Sequence, residues 1–155
     1  MPTAVGERVQ DFTLTDNLGE SQNLQEALKK GPVVLAFFPL AFTGVCTAEM
    51  CSFRDMLKDF DSVNATVFGI SVDSEHALRV FAEQQELNFR LLSDFNKEVC
   101  ASLGVMYEDF RGKKGVAKRS VFVLRPDATV AYRWVTENAG ESPDLAEVHQ
   151  ALKAL

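Results

Sequence analysis

The stretch Pro32-Val33-Val34-Leu35-Ala36-Phe37-Phe38 runs directly into Pro39-Leu40-Ala41-Phe42-Thr43-Gly44-Val45-Cys46, and this succession decides the fold. The first part is continuously apolar and rich in β-branched and aromatic residues. A strand buried on both faces reads this way. Pro39 fixes its own φ, lacks an N–H donor and ends the strand. From Thr47 to Asp61 the period changes, with Met50, Phe53, Leu57 and Phe60 recurring at spacings of three and four. That is the pattern of a helix with one apolar face. Cys46 therefore stands where a buried strand, a turn and a helix meet.

The alternation continues on both sides of this unit. Upstream, Asp11-Phe12-Thr13-Leu14-Thr15 alternates polar and apolar as a half-buried strand does, and Asp16-Asn17-Leu18-Gly19 is a turn signal. Asn23 to Lys30 reads as a short helix ending at Gly31. Downstream, Ala65 to Ser71 is a second buried strand. Asp73 or Ser74 caps a helix to about Glu86, with Ala77, Leu78, Val80 and Phe81 apolar. Phe89 to Leu92 is a short strand, and a helix capped by Asp94 or Asn96 runs to Leu103 and closes at Gly104. Ser120 to Leu124 and Val130 to Thr136 form a hairpin around Pro126-Asp127-Ala128. A last helix starts at Pro143 or Asp144 and carries Leu145, Val148 and Leu152 on one face. No repeat or linker divides the chain. The order predicts one α/β domain over residues 1–155, a central mixed sheet flanked by helices in the thioredoxin-like arrangement.

Composition narrows the function. The chain has 155 residues, 46% hydrophobic and 25% charged, close to globular averages. Its net charge is −6, and the one basic cluster, Arg111, Lys113, Lys114, Lys118 and Arg119, is interrupted by glycines. A nucleic-acid surface needs a basic stripe, so nucleic acid is not expected as a partner. The longest apolar stretch, Val33 to Phe42, is too short to span a bilayer, and Met1 to Gln10 has no apolar core of a secretory signal. Three cysteines are too few for a secreted disulfide scaffold and suit a reducing, cytosolic setting. There, a close cysteine pair such as Cys46 and Cys51 reads as redox-active or metal-binding.

The position of Cys46 carries the chemistry. Sites of open α/β sheets lie beyond the carboxyl ends of strands. The free N–H groups and positive dipole end of a helix start favour the thiolate, which is the nucleophile. A buried inert thiol is the plain alternative for any cysteine, and the strand-turn-helix junction argues against it here. Thr43, three residues earlier, places a hydroxyl within reach of the sulfur or simply caps the turn.

These residues resemble a known family. Pro39-x-x-x-Thr43-x-x-Cys46 is similar to the active-site signature of the peroxiredoxins, thiol peroxidases with a thioredoxin-like fold. Phe37 to Cys46 is especially similar to AhpE-like members, and Cys46-Thr47-Ala48-Glu49-Met50-Cys51-Ser52-Phe53-Arg54-Asp55 to the bacterioferritin-comigratory, or PrxQ, members. Asp11-Phe12-Thr13-Leu14, Ser93-Asp94, and Arg119 just before Val121-Phe122-Val123-Leu124 fit the same family. The resemblance implies that Cys46 is the peroxidatic cysteine, oxidised to sulfenic acid by a hydroperoxide. It implies that Thr43 orients the peroxide, that Pro39 shields the sulfur, and that Arg119 holds the thiolate and polarises the peroxide. No metal, haem or flavin is implied, because the sulfur carries the electrons. Thioredoxin or a glutaredoxin-like protein is the implied reductant, and the chain is expected as a monomer or homodimer, with Phe42 near a possible dimer face.

Resolution of the sulfenic acid has three readings. Some PrxQ members carry a resolving cysteine at the offset of Cys51. Five residues along an ideal helix separate Cα atoms by about 8–9 Å. A disulfide usually needs about 4.4–6.8 Å, so a Cys46–Cys51 bond requires the first helical turns to unwind. Cys100 is the second candidate, set beside Val99 and Leu103 as a small core residue would be. An external thiol is the third. Two other function classes are weaker. A dithiol oxidoreductase uses Cys-x-x-Cys, whereas four residues separate this pair. A metal module built on Cys46, Cys51, His76 and His149 lacks ligand spacing, and both histidines read as solvent-facing helix residues.

Overall fold

The computed structural model describes residues Met1–Leu155. Thirteen elements follow one another as β1 (Thr13–Asp16), β2 (Ser21–Asn23), α1 (Leu24–Leu28), β3 (Val33–Phe37), α2 (Gly44–Asp55), α3 (Leu57–Asp61), β4 (Thr66–Ser71), α4 (Glu75–Gln84), β5 (Arg90–Ser93), α5 (Glu98–Ser102), β6 (Ser120–Leu124), β7 (Val130–Val135) and α6 (Leu145–Lys153). The strands form one seven-stranded sheet in the order β2-β1-β5-β4-β3-β6-β7. Strands β3, β4 and β5 are parallel, and β1, β2, β6 and β7 add antiparallel pairings at the two sides. This is the mixed thioredoxin-like sheet that the sequence predicts.

Alternation along β3 sorts the core. Val34, Ala36 and Phe38 face one layer with Met50 and Phe53 of α2, Phe60 of α3, Leu78 and Phe81 of α4, and Val148 and Leu152 of α6. Val33, Leu35 and Phe37 face the other layer with Leu24 and Leu28 of α1 and Val99 and Cys100 of α5. The sheet thus separates Cys46, in the first layer, from Cys100, in the second. Gly69 on β4 leaves room for side chains of β5 and α2: a Cβ there would lie 2.6 Å from Leu91 Cδ2 and 3.0 Å from Met50 Sδ.

Several expectations are corrected in detail. The helix expected from Thr47 to Asp61 is two helices, because Met56 leaves helical geometry at φ −100° and ψ 5°. Strand β2 was not expected; Ser21-Gln22-Asn23 is polar and carries no alternation, so only its pairing with β1 reveals it. Ser74, not Asp73, caps α4, its side chain accepting from Ala77 N. Asp94 serves the start of α5 from a distance, its carboxylate accepting from Val99 N at 3.1 Å and Cys100 N at 2.7 Å, while Lys97 takes the left-handed cap position at φ 64°. His149 is half-buried rather than solvent-facing, with its ring edge-on to Phe60 at 6.0 Å. No helix is long and apolar enough to cross a membrane.

Candidate active site

Parallel β3 and β4 end on the same side of the sheet, and the turn from Pro39 to Thr43 leaves β3 there. Asp73, just after β4, ties this turn down. Its Oδ2 accepts from the Ala41 backbone N–H at 2.8 Å and from the Ser71 hydroxyl at 2.7 Å. Phe42 sits at φ 68°, a left-handed conformation that a bulky side chain rarely adopts. Its ring packs edge-on against Phe81 at 5.3 Å while half of the side chain remains exposed. Pro39 is buried under the turn. Thr43 occupies the cap position of α2 without capping it; its hydroxyl donates instead to the Leu40 carbonyl at 2.8 Å. That bond uses the hydroxyl proton and leaves the oxygen lone pairs as acceptors beside the helix start.

Cys46 lies in the first turn of α2 and is 1% exposed. Arg119 approaches it from the start of the neighbouring strand, β6. The antiparallel register of β3 and β6 pairs Phe37 with Ser120, which brings Arg119 beside the end of β3. All three arms of its guanidinium are used. Nη2 donates to Cys46 Sγ at 3.1 Å, Nη1 to Glu49 Oε1 at 2.6 Å, and Nε to the Ala139 carbonyl at 2.9 Å. Residues 73 apart in sequence are thereby joined in one fixed fork. Burial works against the charge of Arg119, but the Cys46 sulfur and the Glu49 carboxylate outweigh it and hold the guanidinium above its ordinary pKa. Behind it, the Tyr107 hydroxyl donates to the Thr136 carbonyl at 3.1 Å, and burial raises the Tyr107 pKa.

Glu49 is the member of this group whose role the sequence does not announce. It lies one helical turn from Cys46, is 2% exposed, and its Oε2 has no hydrogen-bond partner. Burial pushes its carboxyl up to about 7, with Arg119 opposing the shift. The signal available in the sequence was the i, i+3 spacing from Cys46, which places both side chains on one face. A glutamate in the middle of a helix is ordinarily a solvated one, so that spacing alone carried little weight.

The other two cysteines have different surroundings. Cys51 is half-buried on α2, and its thiol donates to Gln85 Oε1 at 3.5 Å. Cys100 is fully buried on the far side of the sheet; burial, then the nearby Asp94 carboxylate, pushes its thiol up to about 12. All three are free thiols. His76 is exposed and paired with Glu75 at 3.1 Å, and no group of three His, Cys, Asp or Glu side chains is placed to hold a metal ion. Chemically, the site offers a sulfur at a helix start, a charged fork fixed onto it, and a hydroxyl acceptor nearby. The cationic fork stabilises negative charge beside it, and the hydroxyl oxygen can accept a hydrogen bond from a group bound next to the sulfur.

Comparison with known proteins finds a family match and similar chains and folds. Residues 5–133 match the model of the AhpC/TSA family. A protein named as a peroxiredoxin in Mycobacterium tuberculosis is 42% identical over 125 residues, 81% of this chain and 80% of that one. Peroxiredoxin Bcp of Escherichia coli is 38% identical over 113 residues, 72% of each chain. The crystal structure of peroxidoxin BcpB from Mycobacterium tuberculosis superposes with a TM-score of 0.89 at 36% identity, covering 99% of this chain and 98% of that one.

Proposed function

Because the chain belongs to the AhpC/TSA family and is a peroxiredoxin of the Bcp/PrxQ kind, we propose that its peroxidase chemistry runs through Cys46, Thr43, Pro39 and Arg119, with resolution by Cys51. The Cys46 thiolate attacks one oxygen of a hydroperoxide. The S–O bond forms, the O–O bond breaks, and the distal oxygen leaves as alkoxide or hydroxide and takes up a proton. Cys46 becomes a sulfenic acid. Thr43 orients the peroxide, and Arg119 steadies both the sulfur and the departing oxygen. Pro39 keeps water from the sulfur. Orientation and preorganised charge are the contributions that this displacement needs from a protein.

The observation that carries the reading is the 3.1 Å bond from Arg119 Nη2 to a sulfur in the first turn of α2. Cys51 then attacks the sulfenic sulfur, forming the disulfide and releasing water. An external dithiol, thioredoxin or a glutaredoxin-like protein, returns both cysteines to thiols. The whole chain, residues 1–155, acts as one catalytic unit in the cytosol. Cys46→Ser tests the reading directly, since serine is close in size and should leave packing nearly unchanged. Its turnover of hydrogen peroxide with a thioredoxin system should fall to background while the fold is kept; retained turnover would remove Cys46 from the reaction.

A further inference from the structure

We propose that Gln85 and Arg54 form a latch that holds Cys51 away from Cys46, and that release of this latch sets the rate of disulfide formation. The inference rests on the reading of Cys51 as the resolving thiol. Both cysteines lie on the unbroken helix α2. At an offset of five their Cα atoms are about 8–9 Å apart in an ideal helix, beyond the usual disulfide range. Each sulfur is also bonded to a different element. Cys46 is held by Arg119 at 3.1 Å, ahead of β6, and Cys51 by Gln85 at 3.5 Å, at the end of α4.

Gln85 is used twice. Its side-chain oxygen receives the Cys51 thiol, and its main-chain carbonyl receives Arg54 Nη1 at 2.6 Å. Asn88 completes the attachment by donating to the Arg54 carbonyl at 3.3 Å. The acceptors are fixed in place: Gln85 ends α4, and Glu86 turns the chain at φ 52°. One residue before Arg54, Phe53 is fully buried, its ring 5.8 Å from Phe60 and 6.3 Å from Phe89. The far end of α2 is therefore anchored, and opening is confined to the turns between Thr43 and Cys51. Cys51 leaves Gln85 before it reaches Cys46.

The latch acts only on the second step. When Cys51 attacks, the S–S bond forms, the S–O bond of the sulfenic acid breaks, and hydroxide leaves with the Cys51 proton as water. Until that moment the sulfenic acid is exposed to a second peroxide, which carries it to sulfinic acid. A tighter latch lengthens this exposure and a looser one shortens it. Gln85 thus sets the partition between a recyclable disulfide and a dead-end oxidation.

Gln85→Ala removes the side-chain acceptor and leaves the carbonyl for Arg54. The rate of Cys46 oxidation by hydrogen peroxide should stay unchanged in stopped flow. The rate of disulfide formation should rise about two- to tenfold, the size expected of one lost hydrogen bond. The sulfinic fraction at excess peroxide, read by intact mass, should fall in step. Gln85→Glu, which retains an acceptor oxygen, should keep the slow rate. In a Cys46→Ser background, amide exchange across residues 47–51 should quicken when Gln85→Ala is added, which reads the latch without any redox chemistry. A Gln85→Ala chain that forms the Cys46–Cys51 disulfide at the wild-type rate overturns the latch alone. A wild-type chain that forms no such disulfide overturns the reading of Cys51 and the latch with it.

Discussion

Arg119 is the residue that joins the candidate site together. It spans the Cys46 sulfur, the Glu49 carboxylate and the Ala139 carbonyl from a position that is 2% exposed. Removing one preorganised charge stabiliser typically costs about 10²–10³ in rate, so Arg119→Ala should slow Cys46 oxidation by that factor in stopped-flow peroxide titrations. It should also lower the denaturation midpoint, because truncating one partner of a buried pair costs about 3–5 kcal/mol. An unchanged oxidation rate would remove Arg119 from the chemistry. Glu49 supplies a second prediction. Its folded pKa of about 7 lies above the ordinary 4.5 because burial disfavours the charged form. Its contribution to stability is therefore complete below the unfolded value and is lost as pH rises through about 7. Between about pH 5 and about pH 8, wild-type protein should lose up to about 3 kcal/mol more than Glu49→Gln, read from denaturant midpoints. Equal losses in the two proteins would contradict it. The structure brings Arg119 to Cys46; in the sequence, the Pro39-x-x-x-Thr43-x-x-Cys46 spacing and an arginine just ahead of a strand were legible. Glu49 was not, because its meaning comes from burial beside a guanidinium 70 residues away.

At the scale of elements, the turn from Pro39 to Thr43 and the start of α2 hold the geometry. The strand before them and the helix after them were readable from the change in period at Cys46. The bracing of the turn was not. Asp73 reads as a helix cap in sequence, yet its carboxylate faces back to Ala41 N and the Ser71 hydroxyl, and Ser74 takes the cap. Two adjacent capping residues cannot be told apart until the turn they border has a position. The break at Met56 was hidden for a similar reason, since Met50, Phe53, Leu57 and Phe60 keep helical spacing across it. Asp73→Ala leaves the Ala41 N–H unpaired and frees the turn. It should reduce the peroxide rate constant by about 10–100-fold through misplacement of Thr43 and Cys46. Asp73→Asn keeps an acceptor and should retain most of the rate; equal effects of the two substitutions would assign the loss to charge rather than to bracing.

For the whole molecule, the seven-stranded sheet separates the cysteines between two core layers. Cys46 and Cys51 share one helix, α2, which lies on one face, while Cys100 lies in the core of the other face with its thiol pushed up to about 12. Cys100 reads as a packing residue from sequence, and the second core layer shows what it packs against. The sheet itself was legible because β3 is apolar throughout and β4 and β6 have apolar centres, whereas the edge strand β2 is polar and gave no pattern. This division makes the three cysteines chemically unequal, and a single measurement reads all of them. Wild-type protein is treated with one equivalent of hydrogen peroxide, and intact mass is followed by peptide mapping of every cysteine. The expected product has lost two hydrogens, with Cys46 joined to Cys51 and Cys100 still a free thiol. A product in which Cys46 remains a thiol while Cys51 or Cys100 is oxidised would contradict the assignment of the site.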